Sequence, residues 1–333
     1  MSDPHHRHRR RHFHWGRLLL LTVFLAAAVF AGYHCLFRAP EQKQPDQEPL
    51  PKEEVPALSP EEQAAAEALR SHMERKPDFY TILLSGVDDH NGGSDTNILV
   101  AVDAANNAIY GVSIPRDTKA IINGKAHKIN YAYNSGGIRL LADTVSEQLG
   151  IPVDYTVQVD LRGFEALVNA IGGVTFNVPV NMDYDDPYQG LHIHLSKGTQ
   201  KLNGADALKV VRFRHNNDGT GYGSEDIGRM QTQQAFLKAV AKQVLTMSNL
   251  SKVDDFVKIF QSYVETDLTV GNLAWLGKEA ISMGADAIEF STLPNEWVSP
   301  YIYLDREATL ALVNEHLNPY VEDRVSEDLN IPS

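Results

Sequence analysis

The chain has 333 residues, 43% of them apolar, enough for one large or two small domains with a real core. Its formal net charge of −13 argues against a nucleic-acid partner held by a broad basic surface. Cys35 is the only cysteine, so no internal disulfide and no cluster of thiolate metal ligands is available to it.

Residues 1–17 carry five arginines against one aspartate and read as a basic cytoplasmic tail. The histidines at 5, 6, 8, 12 and 14 lack regular ligand spacing and belong to that tail. Residues 18–37, LLLLTVFLAAAVFAGYHCLF, contain no charged side chain. A bilayer core needs about 20 apolar residues of helix. With arginines before the run and Trp15 and Tyr33 near its ends, it predicts one transmembrane helix, the N-terminus inside and the remainder exported. A cleaved signal peptide is the alternative. Its apolar region runs only about 7–15 residues before a small-residue cleavage site, and the AGYHC here supplies no such site.

Residues 38–58 are rich in Pro, Glu and Gln and read as an extended spacer. Ser59, Pro60 and Glu62 supply an N-cap, a first helical position and a capping-box partner for a short polar helix over 59–76. Together, 38–76 form an extracytoplasmic linker and short helix, 77–322 the folded domain, and 323–333 a tail.

Within the domain, 79–87, 96–104 and 108–114 read as three buried strands. A helix over 134–150 stops at Gly150 and precedes a strand at 154–160. A helix at 161–173 and a strand at 174–180 follow. The stretch 203–214 starts helical, and 224–247 is the longest helical pattern. Helices near 251–264, 271–283 and 306–317 and a strand at 287–293 complete the series. Such alternation predicts an α/β fold, a central mixed sheet flanked by helices.

Four stretches place charge where a core would exclude it: SGVDDHNGGSDTN (85–97), SIPRDT (113–118), KVVRFRH (209–215) and EDIGRMQTQQ (225–234). Together with HKINYAYNSGG, GFEALVNAIGGVTFNVPV and KGTQKLNGADALKVVRFRH, and in this order, they closely resemble the LytR-CpsA-Psr family over about 79–247. The resemblance implies a catalytic domain over 77–322. It implies a membrane-anchored phosphotransferase that moves a glycopolymer, a teichoic acid or capsular polysaccharide, from a polyprenyl-diphosphate carrier to peptidoglycan. A polyprenyl-diphosphate hydrolase and a catalytically weak envelope scaffold are the alternatives.

Phosphoryl transfer needs positioning and charge neutralisation more than covalent help. Arginine suits it because its planar fork binds phosphate oxygens in pairs and stays charged. Arg116, Arg212, Arg214 and Arg229 are the expected diphosphate clamp, with Arg116, Asp117 and Arg229 as the catalytic set. If the segment is extended, Arg212 and Arg214 face one side. Each arginine taken singly is equally compatible with a surface ion pair, such as Arg116 with Asp117.

Asp88 and Asp95 are the expected Mg²⁺ carboxylates, since Mg²⁺ uses one or two carboxylates plus phosphates and water. Asp117 is expected to orient Arg116. Lys128, Asn130, Tyr133 and Gln233 match family positions near the substrate. Two departures stand out: Gly93 and Thr232 occupy places where many members carry arginine. Phe164, Leu167, Val168, Ile171, Phe236, Leu237 and Val240 either wall a lipid pocket or pack an ordinary core.

Overall fold

The computed structural model describes residues 38–43, 73–88, 93–188, 190–223, 225–244 and 253–333. The expected membrane span at 18–37 and most of the expected helix at 59–76 lie outside the described residues. Among the described residues no helix is long and apolar enough to cross a membrane.

The elements run β1 (Phe79–Asp88), β2 (Gly93–Asp103), β3 (Ala108–Ile114), β4 (Lys119–Ile122), β5 (Lys125–Lys128), α1 (Asn130–Leu149), β6 (Tyr155–Asp160), α2 (Leu161–Ala170), β7 (Val174–Val178), β8 (Met182–Asp186), β9 (Leu191–Leu195) and β10 (Gly198–Leu202). Then follow α3 (Gly204–Arg212), α4 (Glu225–Val244), α5 (Val253–Tyr263), β11 (Val264–Thr266), α6 (Val270–Met283), β12 (Ile288–Thr292), β13 (Asn295–Val298), β14 (Tyr301–Leu304) and α7 (Arg306–Leu312).

The central sheet has six strands in the order β11-β6-β1-β2-β3-β12. β1 runs parallel to β6 and β3 parallel to β12, while β2 lies antiparallel between β1 and β3. Four strands therefore end at the same edge. Alternation along β1 sends Leu83 to one face and Ile82 to the other, because successive strand residues point oppositely. The Leu83 face packs Leu99 and Val112 against Leu141, Val145 and Leu149 of α1. The Ile82 face meets Leu268, Leu273 and Leu276 in and before α6.

A second core joins β7, β10, α2, α3 and α4, with Val168, Val178, Ile193, Phe213 and Phe236 fully buried. Phe164, Leu167, Ile171 and Val240 pack into the same cluster. Most of the apolar residues considered for a lipid pocket are therefore core.

Two segments set apart by composition belong to the body of the domain. Leu329 and Ile331, within the expected tail at 323–333, join the main core. Residues 38–43, from the expected spacer, lie along the domain: the Arg38 amide donates to the Gly271 carbonyl, and the Lys43 amide to Asp154 Oδ1. In both segments specific partners, rather than average hydropathy, decide the outcome.

Asp154 is the anchor of this corner and is fully buried. Its carboxylate accepts from both terminal nitrogens of Arg75 at 3.1 and 2.8 Å, from the Thr81 amide at 2.9 Å and from Thr81 Oγ1 at 3.0 Å. A carboxylate so deep is tolerable because every lone pair is used and the guanidinium is buried beside it.

Asp154→Asn leaves Arg75 buried without its counter-charge. It is expected to lower folding stability by about 3–5 kcal/mol in guanidinium unfolding. Asp267→Asn breaks the exposed Lys43–Asp267 pair, 3.9 Å apart, and keeps an oxygen for the Thr156 amide, which Asp267 Oδ1 accepts at 2.8 Å; it is expected to cost only about 1 kcal/mol.

Candidate functional site

At the edge where β1, β3 and β6 end, a cleft of about 510 Å³ opens. One wall comes from the sheet: Gly86 and Val87 of β1, Gly93 and Thr96 of β2, Arg116 after β3, and Leu161 after β6. The other comes from the second core's elements: Tyr184 on β8, Leu191 on β9, Val211, Arg212, Arg214 and His215 around the end of α3, and Arg229 and Gln233 on α4. Ligands of open α/β sheets gather at the carboxyl ends of strands, and this cleft lies there.

Arg116 is held by its backbone. Pro115 ends β3, and the turn closes when the Thr118 amide and Oγ1 donate to the Pro115 carbonyl at 3.0 and 2.7 Å. Thr118 is fully buried, the Asn130 amide donates to the Arg116 carbonyl, and the Ile302 amide donates to that of Asp117. Side-chain freedom at Arg116 therefore starts from a fixed Cα.

Arg229 reaches the cleft from the second turn of α4. Gly228 before it is required by packing: an added Cβ would lie 2.3 Å from Tyr222 Cβ. Burial pushes the Tyr222 hydroxyl pKa up, with Thr232 and the Arg229 charge opposing. Gln234 fixes the same helix to the sheet. Its Nε2 donates to Ser113 Oγ, the Ser291 carbonyl and Thr292 Oγ1 at 3.1, 2.7 and 2.8 Å.

Arg212 and Arg214 also line the cleft, although not as an extended pair. Asn203 caps α3 through the Asp206 amide, and the helix continues to Arg212, with Phe213 at its C-cap. The chain turns extended only there, so the two arginines arrive from different backbone conformations.

Of the other expected contacts, Asn130 and Gln233 line the cleft, Gln233 with its Nε2 donating to the Val211 carbonyl at 2.8 Å. Lys128 and Tyr133 are not among its lining residues. The Lys128 ammonium lies 3.1 Å from Asp117 Oδ1, and the Tyr133 hydroxyl donates to Gln158 Oε1 at 3.0 Å. Asp117 thus sits between Lys128 and Arg116, whose Nε is 3.7 Å away.

Asp88 and Asp95 are placed by the backbone alone. The β1–β2 register shifts after Gly86, which pairs with Thr96, while Val87 pairs with Ser94. Asp95 is the extra residue of the bulge, a device that re-aims a strand near functional sites. Asp88 pairs with Gly93 at the strand end. Both aspartates are chain neighbours of residues that line the cleft.

The two departures differ in kind. Thr232 is 5% exposed, and its Oγ1 donates to the Gly228 carbonyl at 2.8 Å, so it serves the helix interior. Gly93 is on the cleft wall with room beyond it: an added Cβ would meet only Asn134 Oδ1 at 3.7 Å. Tyr184, Leu191, Asn134 and His215 also line the cleft, and sequence reasoning assigned none of them to it. Two of them lay in motifs already singled out: His215 follows the Arg-Phe-Arg run, and Asn134 falls within HKINYAYNSGG.

A model of the LytR_cpsA_psr family matches residues 52–318, and the chain belongs to that family. A relative from Bacillus cereus, polyisoprenyl-teichoic acid–peptidoglycan teichoic acid transferase TagU, is 37% identical over 199 residues, 58% of this chain. The match spans 62% of that relative's length, less than two thirds of it. The crystal structure of B. subtilis TagV superposes with a TM-score of 0.61 at 29% identity, covering 75% of this chain and 100% of that one. A structure described as TagT bound to LI-WTA gives a TM-score of 0.55 at 26% identity, covering 71% of this chain and 88% of that one.

Inorganic diphosphate is expected to bind in the cleft and to raise the thermal midpoint. Arg116→Ala or Arg229→Ala should weaken that binding roughly 10- to 150-fold by calorimetry, the equivalent of losing one charged hydrogen bond of about 1.5–3 kcal/mol. Gly93→Arg should tighten it, since it adds a cation on the open wall.

Proposed function

We propose that this member of the LytR-CpsA-Psr family is a membrane-anchored phosphotransferase that moves a glycopolymer from a polyprenyl-diphosphate carrier to peptidoglycan. The observation that carries the reading is the meeting of Arg116, Arg212, Arg214 and Arg229, drawn from three separate segments, on one cleft. Guanidinium forks gathered on one cleft of about 510 Å³ offer paired donors to phosphate oxygens. A diphosphate supplies such oxygens in two adjacent groups. The relatives named as teichoic acid transferases support the class of glycopolymer.

In this reading an acceptor hydroxyl attacks the phosphorus that carries the sugar. A new P–O bond forms and the bond between the two phosphates breaks. Polyprenyl phosphate leaves with the electron pair, and the hydroxyl proton passes to a base. Negative charge spreads over the equatorial and bridging oxygens, and the arginines stabilise it from fixed positions. Arg116 leaves a turn closed by the buried Thr118. Asp117, between Arg116 and Lys128, limits where the guanidinium swings.

Asp88 and Asp95 are the residues that would hold Mg²⁺, and their all-oxygen donor chemistry suits that ion. When bound, Mg²⁺ would supply additional charge neutralisation at the diphosphate. The apolar run at 18–37 would hold the domain outside the membrane and close to the lipid carrier.

Arg116→Ala is expected to lower the turnover of a polyprenyl-diphosphate-linked glycopolymer by about 10²–10³-fold, the scale of losing one preorganised charge-stabilising donor, with unchanged thermal unfolding. Chelation of Mg²⁺ should reduce turnover of the unaltered chain, and re-addition should restore it. Product analysis decides the class. Glycopolymer phosphate attached to peptidoglycan supports transfer, free glycopolymer phosphate makes the chain a hydrolase, and bound lipid without polyprenyl phosphate release makes it a scaffold.

A further inference from the structure

The β8–β9 hairpin has two faces. Tyr184 and Leu191 line the cleft, and Ile193 is buried in the second core. The opposite face carries Asp183, Asp185, His192 and His194, all exposed. The antiparallel register sets Asp185 opposite His192 and Asp183 opposite His194. Residues two apart on a strand share a side, so the four form a square across the two strands.

The square is organised about one oxygen. His192 Nδ1 contacts Asp185 Oδ1, and His194 Nε2 lies 3.4 Å from the same atom. The other ring nitrogen of His194, Nδ1, is 2.7 Å from Asp183 Oδ1. The facing atoms of Asp185, His192 and His194 all lie within 4.8 Å of one another. Two imidazole nitrogens converging on one carboxylate oxygen either bring protons to it or share a cation with it.

We infer that Asp185, His192 and His194 form a surface site for a divalent d-block cation such as Zn²⁺, with Asp183 holding His194 from behind. The donor set selects the ion. Imidazole suits Zn²⁺, Co²⁺, Ni²⁺ and Cu²⁺, whereas Mg²⁺ and Ca²⁺ prefer oxygen alone. Ligands about 2.0–2.1 Å from a tetrahedral ion stand roughly 3.3 Å apart, which is close to the His194–Asp185 separation of 3.4 Å. The His192 contact opens slightly to admit the ion, a small motion for an exposed side chain. A carboxylate bonded to the remote nitrogen of a ligating histidine is the usual way its tautomer and orientation are fixed. Asp183 stands there.

The site is tied to the cleft through the backbone. The free edge of β8 receives Asn216 and Asn217: the Asp183 and Asp185 amides donate to their side-chain oxygens, each at 2.6 Å. Those asparagines directly follow Arg214 and His215 on the cleft wall. An ion that staples β8 to β9 therefore stiffens a wall that also supports the arginine segment. The assignment is independent of the transfer reading, because it concerns a different face and different residues.

The test is a Co²⁺ and Zn²⁺ titration of the full chain under saturating Mg²⁺. His5, His6, His8, His12 and His14 are first replaced by glutamine so that the N-terminal tail does not compete. One ion per chain, with the visible absorption of Co²⁺ bound by nitrogen and oxygen, is expected. Asp185→Asn and His194→Ala should each weaken binding by at least about 100-fold. Asp183→Asn should weaken it about 10- to 100-fold, as loss of an outer partner does. Circular dichroism should be unchanged in each, since the side chains are exposed. Absence of saturable binding, or a stoichiometry that survives His192→Ala with His194→Ala, would overturn the assignment and leave the square as proton-shared ion pairs.

Discussion

Four guanidinium groups brought to one cleft define the structural problem that this chain solves. In water two unit charges about 4 Å apart interact by only about 1 kcal/mol, but at the effective dielectric of a protein surface the figure rises to about 4 kcal/mol. Asp117 lies 3.7 Å from Arg116 Nε and 3.1 Å from the Lys128 ammonium. Two large apolar cores and turns closed by backbone hydrogen bonds fix the four backbone positions. Positions set by folding spare binding the cost of gathering the charges.

The scaffold explains why these positions and not others carry the charge. The strands that end at the cleft are central in the sheet and cannot shift without losing two neighbours. Arg116 leaves the end of β3 through a turn closed by buried Thr118. α1 begins at the cleft with Asn130 and Asn134, then breaks at Gly136 and Gly137, whose φ values of −146° and 68° are not helical. Ala132 joins the main core before that break, and Leu141, Val145 and Leu149 join it after. The helix thus lends Asn130 and Asn134 to the cleft while anchoring in the apolar interior on both sides of the kink. Gln234 makes the corresponding link on the other wall, tying the helix that carries Arg229 to the ends of β3 and β12.

Much of this was legible in the sequence where a local pattern had one physical solution. The β-branched runs at 79–87 and 108–114 emerged as central strands, and the four arginines reached one cleft, as the motif order implied. Sequence reasoning failed where the outcome depended on distant partners. The extended Arg212–Arg214 pair does not exist, because Ala207 and Val210 keep α3 packed and helical to Arg212. Lys128 and Tyr133 are turned to Asp117 and Gln158, which no local pattern announces. The polar character of 38–43 and 323–333 concealed Lys43 at Asp154 and Leu329 in the core. The hairpin was invisible for a related reason. Its alternation of Asp, Tyr and His looks like a solvated edge until the register pairs Asp185 with His192.

The two walls of the cleft are built on different scaffolds. The sheet wall rests on a six-stranded core and on Asp154, whose carboxylate ties together Arg75, Thr81 and the segment at Lys43. The opposite wall includes a two-stranded hairpin whose outer face is exposed among the described residues. A two-stranded ribbon is marginal by itself, and β8–β9 relies on Ile193 and on Asn216 and Asn217 for support. Tyr184 and Leu191 belong to this hairpin, whereas Arg116 is mounted at the end of a central strand. Arg212, Arg214 and Arg229 stand on the hairpin's side of the cleft, and Asn216 and Asn217 join the segment after Arg214 to β8. Any interaction that stiffens the hairpin therefore reaches the arginine segment as well as Tyr184 and Leu191.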